Sequence, residues 1–382
     1  MSAGSVLANE GTGNATSRVK LRRARFEDCD QIAELESRFG LNARRREDWR
    51  HLWLKNPAYR DLKGEWDIGW VLEDADGRIV ASVASIPLWY ELDGQRILAW
   101  TGKGLVGEPA HRNGSLLLLD HLINRTKGDL FVNNTLGVSA ASAFDLFECS
   151  RVPVGAWDKT ALWIASHKGL AESMLAASGS KVGASLVYPL KAATRLWECL
   201  KSRSLPTSGV DVQPLTAFDE RFDDFWDGLR KHQRDVLLAV RTRESLTWHY
   251  KRVAGENRLW ISAVGNKSLA AYAIFERKDG GDAYSALKRV RLADFQSLDG
   301  SAELLPSFLH WAIQRCRREG IHFLEVTGRW LDKGDLIDTL APYHRKLPVW
   351  TYFYSARKSE LVERLKQQSA WAPSLYDGDA TL

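Results

Sequence analysis

Cysteine is scarce in this chain and follows no pattern. Cys29, Cys149, Cys199 and Cys316 stand far apart, without the short paired spacing of a zinc site or a dithiol redox motif. Isolated thiols of this kind fit a reducing compartment and apolar packing, so all four are expected to be free. Long apolar runs are also lacking, and no segment approaches the ~20 residues of a membrane-spanning helix. No basic start followed by an apolar stretch marks a secretory signal. Residues 1–17 are small and polar and read as a disordered tail. These absences point to a cytoplasmic protein with no transmembrane segment. A Walker-type loop, a cluster with metal-ligand spacing and a Ser-His-Asp arrangement are missing too. Nucleotide hydrolysis, a metal centre and serine-hydrolase chemistry are therefore set aside.

The chain has no large charge excess of one sign. Its 53 basic and 48 acidic residues leave a formal charge of +5, which suits phosphate-bearing ligands but is no footprint of nucleic-acid binding. What is present is a globular composition, 45% hydrophobic and 26% charged. At 382 residues the chain exceeds one small core, and two domains are expected. Sixteen Trp are assigned mainly to core filling, with a few left to line a cleft.

Alternation makes Val19-Lys20-Leu21-Arg22 a first strand. A helix follows from Asp28, with Cys29, Ile32, Ala33, Leu35 and Phe39 on one side and Asp28 and Gln31 spaced as a capping box. Arg44-Arg45-Arg46 precedes a helix carrying Trp49, Leu52 and Trp53 and reads as a solvated edge. Two hairpins turn at Asp76-Gly77 and Asp93-Gly94. The meander ends at Leu105-Val106-Gly107-Glu108-Pro109, and an apolar helical face begins at Ser115. Between them His111, Arg112, Asn113 and Gly114 read as a short polar loop. A strand, such a loop and a helix N-terminus form an anion site, with Gly114 admitting close approach and Ser115 as a cap. The same residues also serve simply to turn the chain, which is the commoner use of such a joint. Leu130-Phe131-Val132, a helix from Ser139 to Cys149, and the strand Ala161-Leu162-Trp163-Ile164 complete the first half. Asn133 and Asn134 form a turn or bind an extended amide.

In this order of elements, and in Pro109-Ala110-His111-Arg112 followed by Gly114, residues 18–165 resemble the GNAT superfamily of acyl-CoA-dependent N-acyltransferases. The resemblance implies an α/β (α+β) domain with a mixed, largely antiparallel central sheet flanked by helices. It also implies an acyl-CoA pyrophosphate on His111, Arg112, Asn113, Gly114 and Ser115. Ala140 stands where the family places the Asn that contacts the pantetheine arm, and Asn133 is the candidate here for that contact. Two further departures stand out. Leu116 occupies the loop's second small position, and Phe147 stands where the family places the Tyr that protonates the leaving thiolate.

Residues 166–209 read as a helical connector. Its stripe of Leu190, Ala193, Leu196, Trp197 and Leu200 with flanking Lys and Arg fits either peripheral membrane contact or packing across two domains. From residue 210 to 382 the plan repeats. Helices around Phe222–Leu229 and Trp248, a hairpin through Gly265-Asn266, Val290-Arg291-Leu292-Ala293-Asp294-Phe295 and a long helix follow in the earlier order. Phe323 to Val326 and Thr351 to Tyr354 are read as its closing strands. Trp53 and Trp248 lie 195 positions apart, so an internal duplication into two tandem GNAT-like domains is expected. The whole resembles acyltransferase-like proteins of bacterial surface-polysaccharide pathways, and more distantly Fem-type aminoacyltransferases. Leu292-Ala293-Asp294-Phe295 and the terminal Tyr376-Asp377-Gly378-Asp379 carry that likeness.

Acyl transfer from acetyl-CoA or another acyl-CoA to a small amine or sugar acceptor needs a base and an acid. Asp294 and Glu325 lie in apolar strands, where burial would raise a carboxyl pKa, though an ion pair explains either equally well. His249, His310 and His344 are alternative bases, and Tyr352 or Tyr354 a candidate acid. Two readings stand: an acyltransferase acting on an amino sugar or lipid-linked sugar, or a non-catalytic binding protein built on degenerate GNAT-like halves.

Overall fold

The computed structural model describes residues 19–41, 43–136, 138–155, 157–177, 192, 205, 209–254, 258–279, 287–328, 331–347 and 351–382. The first half runs β1 (Lys20–Arg23), α1 (Cys29–Arg38), α2 (Arg46–Leu54), α3 (Pro57–Asp61), β2 (Gly69–Glu73), β3 (Ile79–Leu92) and β4 (Gln95–Gly107). It continues through α4 (Arg112–Asp120), β5 (Leu130–Leu136), α5 (Val138–Leu146), β6 (Ser150–Arg151), β7 (Lys159–Ile164) and α6 (His167–Ala177). The second runs β8 (Gln213–Leu215), α7 (Arg221–His232), β9 (Leu238–Ala239), α8 (Arg243–Ala254), β10 (Leu259–Val264), β11 (Ala271–Arg277) and β12 (Arg289–Ser297). Then come α9 (Leu305–Glu319), β13 (Phe323–Thr327), α10 (Leu331–Leu340), β14 (Tyr343–Lys346), β15 (Thr351–Ala356) and α11 (Ser359–Leu365).

Local chemistry accounts for the joints. Asp93 and Gly94 both have positive φ (52° and 75°), as the tight β3–β4 turn requires. Asn56 caps α3 by accepting from Ala58 N at 2.8 Å, with Pro57 in the first turn. The same amide donates to Pro87 O at 2.8 Å, where β3 has run past the end of its pairing with β2. The expected capping box at Asp28 and Gln31 does not form. Asp28 instead accepts from Arg25 N and from Arg22, and Gln31 accepts from Ile79 N.

The sheets share one plan. The first is ordered β1-β2-β3-β4-β5-β15-β6, with β9 added on β3; the second is β8-β10-β11-β12-β13-β7-β14. In both, the first four strands are antiparallel, the fourth and fifth are parallel, and the sixth is antiparallel to the fifth. This is the mixed α/β architecture expected, but the closing strands are exchanged. Residues 161–164, read as closing the first unit, pair with β13 and β14 of the second sheet. Residues 351–354, read as closing the second, pair with β5 and β6 of the first. The strands' alternation identifies them as strands and says nothing of their neighbours. A further tie joins the halves at α2 and α8. There Trp248 Nε1 donates to His51 O at 3.3 Å, and His51 Nε2 lies 3.0 Å from Trp248 O.

Phe222, Phe225, Trp226 and Leu229 on α7 and Leu305, Phe308, Leu309, Ile313 and Cys316 on α9 are buried as their spacing predicts. On α1, Cys29, Ile32 and Leu35 are buried, but Phe39, expected on the same face, is exposed past the helix end. Cys29, Cys149 and Cys316 are free and buried. The basic run divides. Arg45 pairs with Asp48 and Arg46 with Asp30 at the surface, whereas Arg44 is buried, contrary to a wholly solvated edge. The tail 1–17, Cys199 and the stripe from Leu190 to Leu200 lie outside the described residues. Among the described residues, no helix is long and apolar enough to cross a membrane.

Candidate functional site

Strands β4 and β5 form a wedge. Their parallel pairing is confined to Ala99 with Leu130 and Trp100 with Phe131. Beyond that point β4 carries a bulge, with Gly104 and Leu105 set against Val83 between the Ser82 and Ala84 registers. Gly104 has φ +65°, and a Cβ there would strike the Glu36 carboxylate. The bulge bends β4 away from its neighbour, a device common beside binding sites. Near the apex, Asn133 Nδ2 donates to Gly102 O at 3.0 Å. The second sheet repeats the arrangement. β12 leaves β13 after Leu292 and Val326, with Ala293 bulged out of register.

The C-terminal residues 374–381 are laid between the sheets along the first wedge. Asn134 of β5 donates to Asp377 O, and its Oδ1 accepts from Asp379 N (3.0 Å) and Ala380 N (2.9 Å). Asp379 accepts from Asn134 N at 3.0 Å and from the Thr135 hydroxyl. On the opposite wall Lys103 Nζ donates to Asp379 O at 3.0 Å. Arg291 reaches Ala380 O at 2.7 Å from the second sheet. Thr381 Oγ1 lies 2.6 Å from His249 Nε2. Asn133 and Asn134 thus sit within β5 and make no turn, and Asn134 is spent on holding the tail.

The anion site expected at residues 111–115 has a different form. A single 3-10 turn, Pro109–His111, leads directly into α4, so no open loop exists. Gly114 faces the sheet, where a Cβ would strike Leu72; it brings helix and sheet close and clears no room for a phosphate. Ser115 also faces inward, toward Gly107, so it does not cap the helix. His111 is half-buried, and Arg112 and Asn113 are exposed. At the helix start, Glu108 is bound by Arg38 and Arg78, each at 2.9 Å. Arg112 has no carboxylate within 4 Å among the described residues.

The two candidate bases are engaged in ion pairs. Asp294 is fully buried and accepts from Arg241 Nε (2.9 Å), Arg241 Nη2 (3.2 Å), Tyr272 Oη (2.9 Å) and Gln296 Nε2 (3.2 Å). Burial alone would raise its pKa, as expected from the sequence. The adjoining guanidinium outweighs burial and holds it below the usual carboxylate range. Asp294 is therefore an ionised anchor with its lone pairs filled. Glu325 accepts from Arg345 Nη2 at 2.9 Å in the second sheet, away from the first wedge. Tyr352 lies on β15 against Trp157, with ring centroids 5.0 Å apart, and burial pushes its pKa well above 10. Register places it beside Asn134 and Thr135. Burial pulls His249 down to about 3, so it is a neutral imidazole, and it borders a cavity of about 20 Å³ with Trp89, Trp248 and Tyr376, room for about one water. His310 lies 3.4 Å from Gln314 on α9, and His344 stands 3.5 Å from Asp338. Among the described residues no group of three His, Cys, Asp or Glu is placed to hold a metal ion.

Sequence reading passed over Lys103 and Arg241, and gave Asp379 no role beyond its place in the terminal motif. Lys103 did leave a signal, as the one charged residue between Ile97 and Gly107, flanked by Gly102 and Gly104. Burial, with Arg44 nearby, brings its pKa from 10.5 down to about 7.

No protein-family model matches the sequence, and no curated protein sequence matches it. Solved structures do share the fold. A GCN5-related N-acetyltransferase from Kribbella flavida superposes with a TM-score of 0.54 at 12% identity, covering 90% of this chain and 72% of that one. Saccharomyces cerevisiae N-myristoyltransferase with bound myristoyl-CoA gives 0.54 at 10% identity, over 91% and 81%. A probable N-acyltransferase from Enterococcus faecalis gives 0.51 at 11%, over 89% and 72%. The chain therefore has the fold of the GCN5-related N-acetyltransferases.

Proposed function

We propose that the protein is an acyl-CoA-dependent N-acyltransferase whose acyl chain and pantetheine arm enter the wedge between β4 and β5. The observation that carries this reading is the parting of those strands after Trp100 and Phe131. It takes backbone groups of β4 and β5 out of the sheet ladder. Gly102 O is met by Asn133 and Asn134 N by Asp379 of the tail, positions at which an extended amide such as pantetheine would compete for the same bonds. Asn133 is the side chain nearest the apex. Arg112 and the first turn of α4 are the candidate pyrophosphate contacts, through the arginine and the helix N-terminus. The matched order of the two sheets supports an origin by tandem duplication, with a division inside residues 166–209. For the acceptor, resemblance alone favours an amino sugar or lipid-linked sugar of surface-polysaccharide synthesis.

A second reading has its own support. Glu108 places a carboxylate at the start of α4, and the C-terminal segment lies along the wedge, as in a fold that has turned from catalysis to binding. Calorimetric titration with CoA, acetyl-CoA and myristoyl-CoA separates the two. Saturable binding at micromolar concentration supports acyl transfer, and absence of heat at millimolar CoA leaves the non-catalytic reading.

A further inference from the structure

Lys103 is half-buried and differs from the cations around it between the sheets. Arg241 is met by Asp294 and Asp377, and Arg291 and Lys278 share Glu276. The one hydrogen-bond partner of Lys103 among the described residues is a neutral carbonyl, Asp379 O, at 3.0 Å. No carboxylate among them lies within 4 Å of its Nζ. An ammonium has three hydrogens to place and a charge to balance, whereas a neutral amine is satisfied by donating one hydrogen and keeps a lone pair. This environment fits the amine.

The facing charges agree with that. Arg44 before α2 and Lys278 just past β11 oppose a proton on Lys103, while the Asp379 side chain and Glu276 favour one. Asp379 already accepts from Asn134 N and Thr135, and Glu276 from Arg291 and Lys278. Glu36 on α1 is itself pushed toward its neutral form by burial. Lys103 also has a defined place, two residues past Thr101 on the diverging stretch of β4 and directly before the bulge. Asn134 holds the same tail segment from the other wall.

We propose that Lys103 is the proton acceptor of the wedge, taking the proton that an incoming amine must lose before it attacks the thioester. The proposal rests on the acyl-transfer reading above. The acceptor arrives as an ammonium and gives one proton to Nζ, leaving a free amine and a charged Lys103. The amine nitrogen forms a C–N bond to the thioester carbonyl carbon, and the C–S bond breaks as the intermediate collapses. The second nitrogen proton goes to the departing thiolate, giving an amide and free CoA thiol. Lys103 then releases its proton to solvent. A base with pKa near the working pH serves best in such a step.

Competitive labelling of the full chain tests this. Isotopic acetic anhydride is applied in trace amount from pH 5 to 11, with and without saturating acetyl-CoA, and each lysine is read by peptide mass spectrometry. Lys103→Met identifies the signal, and calorimetry run in parallel reports acetyl-CoA binding. The expected result is a labelling midpoint near 7, against about 10.4 for an ordinary lysine, and loss of Lys103 labelling when acetyl-CoA is bound. A midpoint near 10, no label at any pH, or undiminished labelling with acetyl-CoA demonstrably bound would each overturn the proposal while leaving acyl transfer standing. Absence of binding by CoA, acetyl-CoA and myristoyl-CoA alike would remove the acyl-transfer reading first and this proposal with it.

Discussion

Arg241 and Asp294 form an ion pair wholly out of water, with Nε 2.9 Å from Oδ2. The same guanidinium holds Asp377 of the C-terminal segment at 3.1 Å and lies 4.7 Å from the Tyr376 ring centroid. One arginine thus joins the two motifs, around Asp294 and around Asp377, that the sequence left 83 positions apart. Removing one member of a buried pair strands the others. Arg241→Met should lower unfolding free energy by about 3–5 kcal/mol, read by denaturant titration, and should loosen the tail. A loss below about 1 kcal/mol would show that the network is not what anchors residues 374–381.

His249 makes stability depend on pH. Its folded pKa of about 3 lies below the unfolded value of 6.5, so the unfolded chain binds the extra proton between those limits. The contribution is complete above pH 6.5 and is lost as pH falls toward 3, at up to ~1.4 kcal/mol per unit. His249→Gln should flatten the stability profile between pH 6.5 and 4.5. Parallel profiles for the two proteins would contradict a buried neutral imidazole.

Lys103 gives the matching effect on the alkaline side. Its folded pKa of about 7 lies below 10.5, so the parent's stability should rise with pH across that window. Lys103→Met should abolish the rise and be more stable than the parent at pH 7, as judged by thermal unfolding at fixed ionic strength. Lower stability of the variant throughout would mean that the lysine is held as a paired cation.

Two neighbouring residues on α4 should fail differently. Gly114→Ala places a methyl against Leu72 and should cost about 1–3 kcal/mol of stability by overpacking, with CoA affinity of the folded fraction preserved. Arg112→Ala should leave stability unchanged within about 0.5 kcal/mol and weaken CoA about ten- to a hundredfold through loss of a charge-assisted contact. Denaturation and calorimetry on the same samples check both.

The elements were legible where one face meets water and the other a core. The stripe of α7, the Asp93-Gly94 turn and the apolar face of α9 all fall where the spacing puts them. Partners were not legible, because β7 and β15 have the same alternation whichever sheet receives them. Gly114 read as a phosphate glycine because a missing side chain looks the same whether a ligand or Leu72 fills its place. The segment from Tyr376 to Asp379 carries polar letters that suit a surface, and nothing local reveals that Asn134 and Arg241 await them. Asp294 was recognised as a buried carboxylate. Its role turned on Arg241, 53 positions away, which fixes its charge.

The central claim is that acyl-CoA occupies the wedge between β4 and β5, and hydrogen–deuterium exchange tests it most directly. The intact protein is exchanged with and without saturating myristoyl-CoA and read at peptide resolution. The account predicts slowed exchange at residues 101–107 and 132–136 and at the first turn of α4, with β10 and β11 unchanged. Protection confined to the second sheet, or no protection anywhere at saturating ligand, would contradict it.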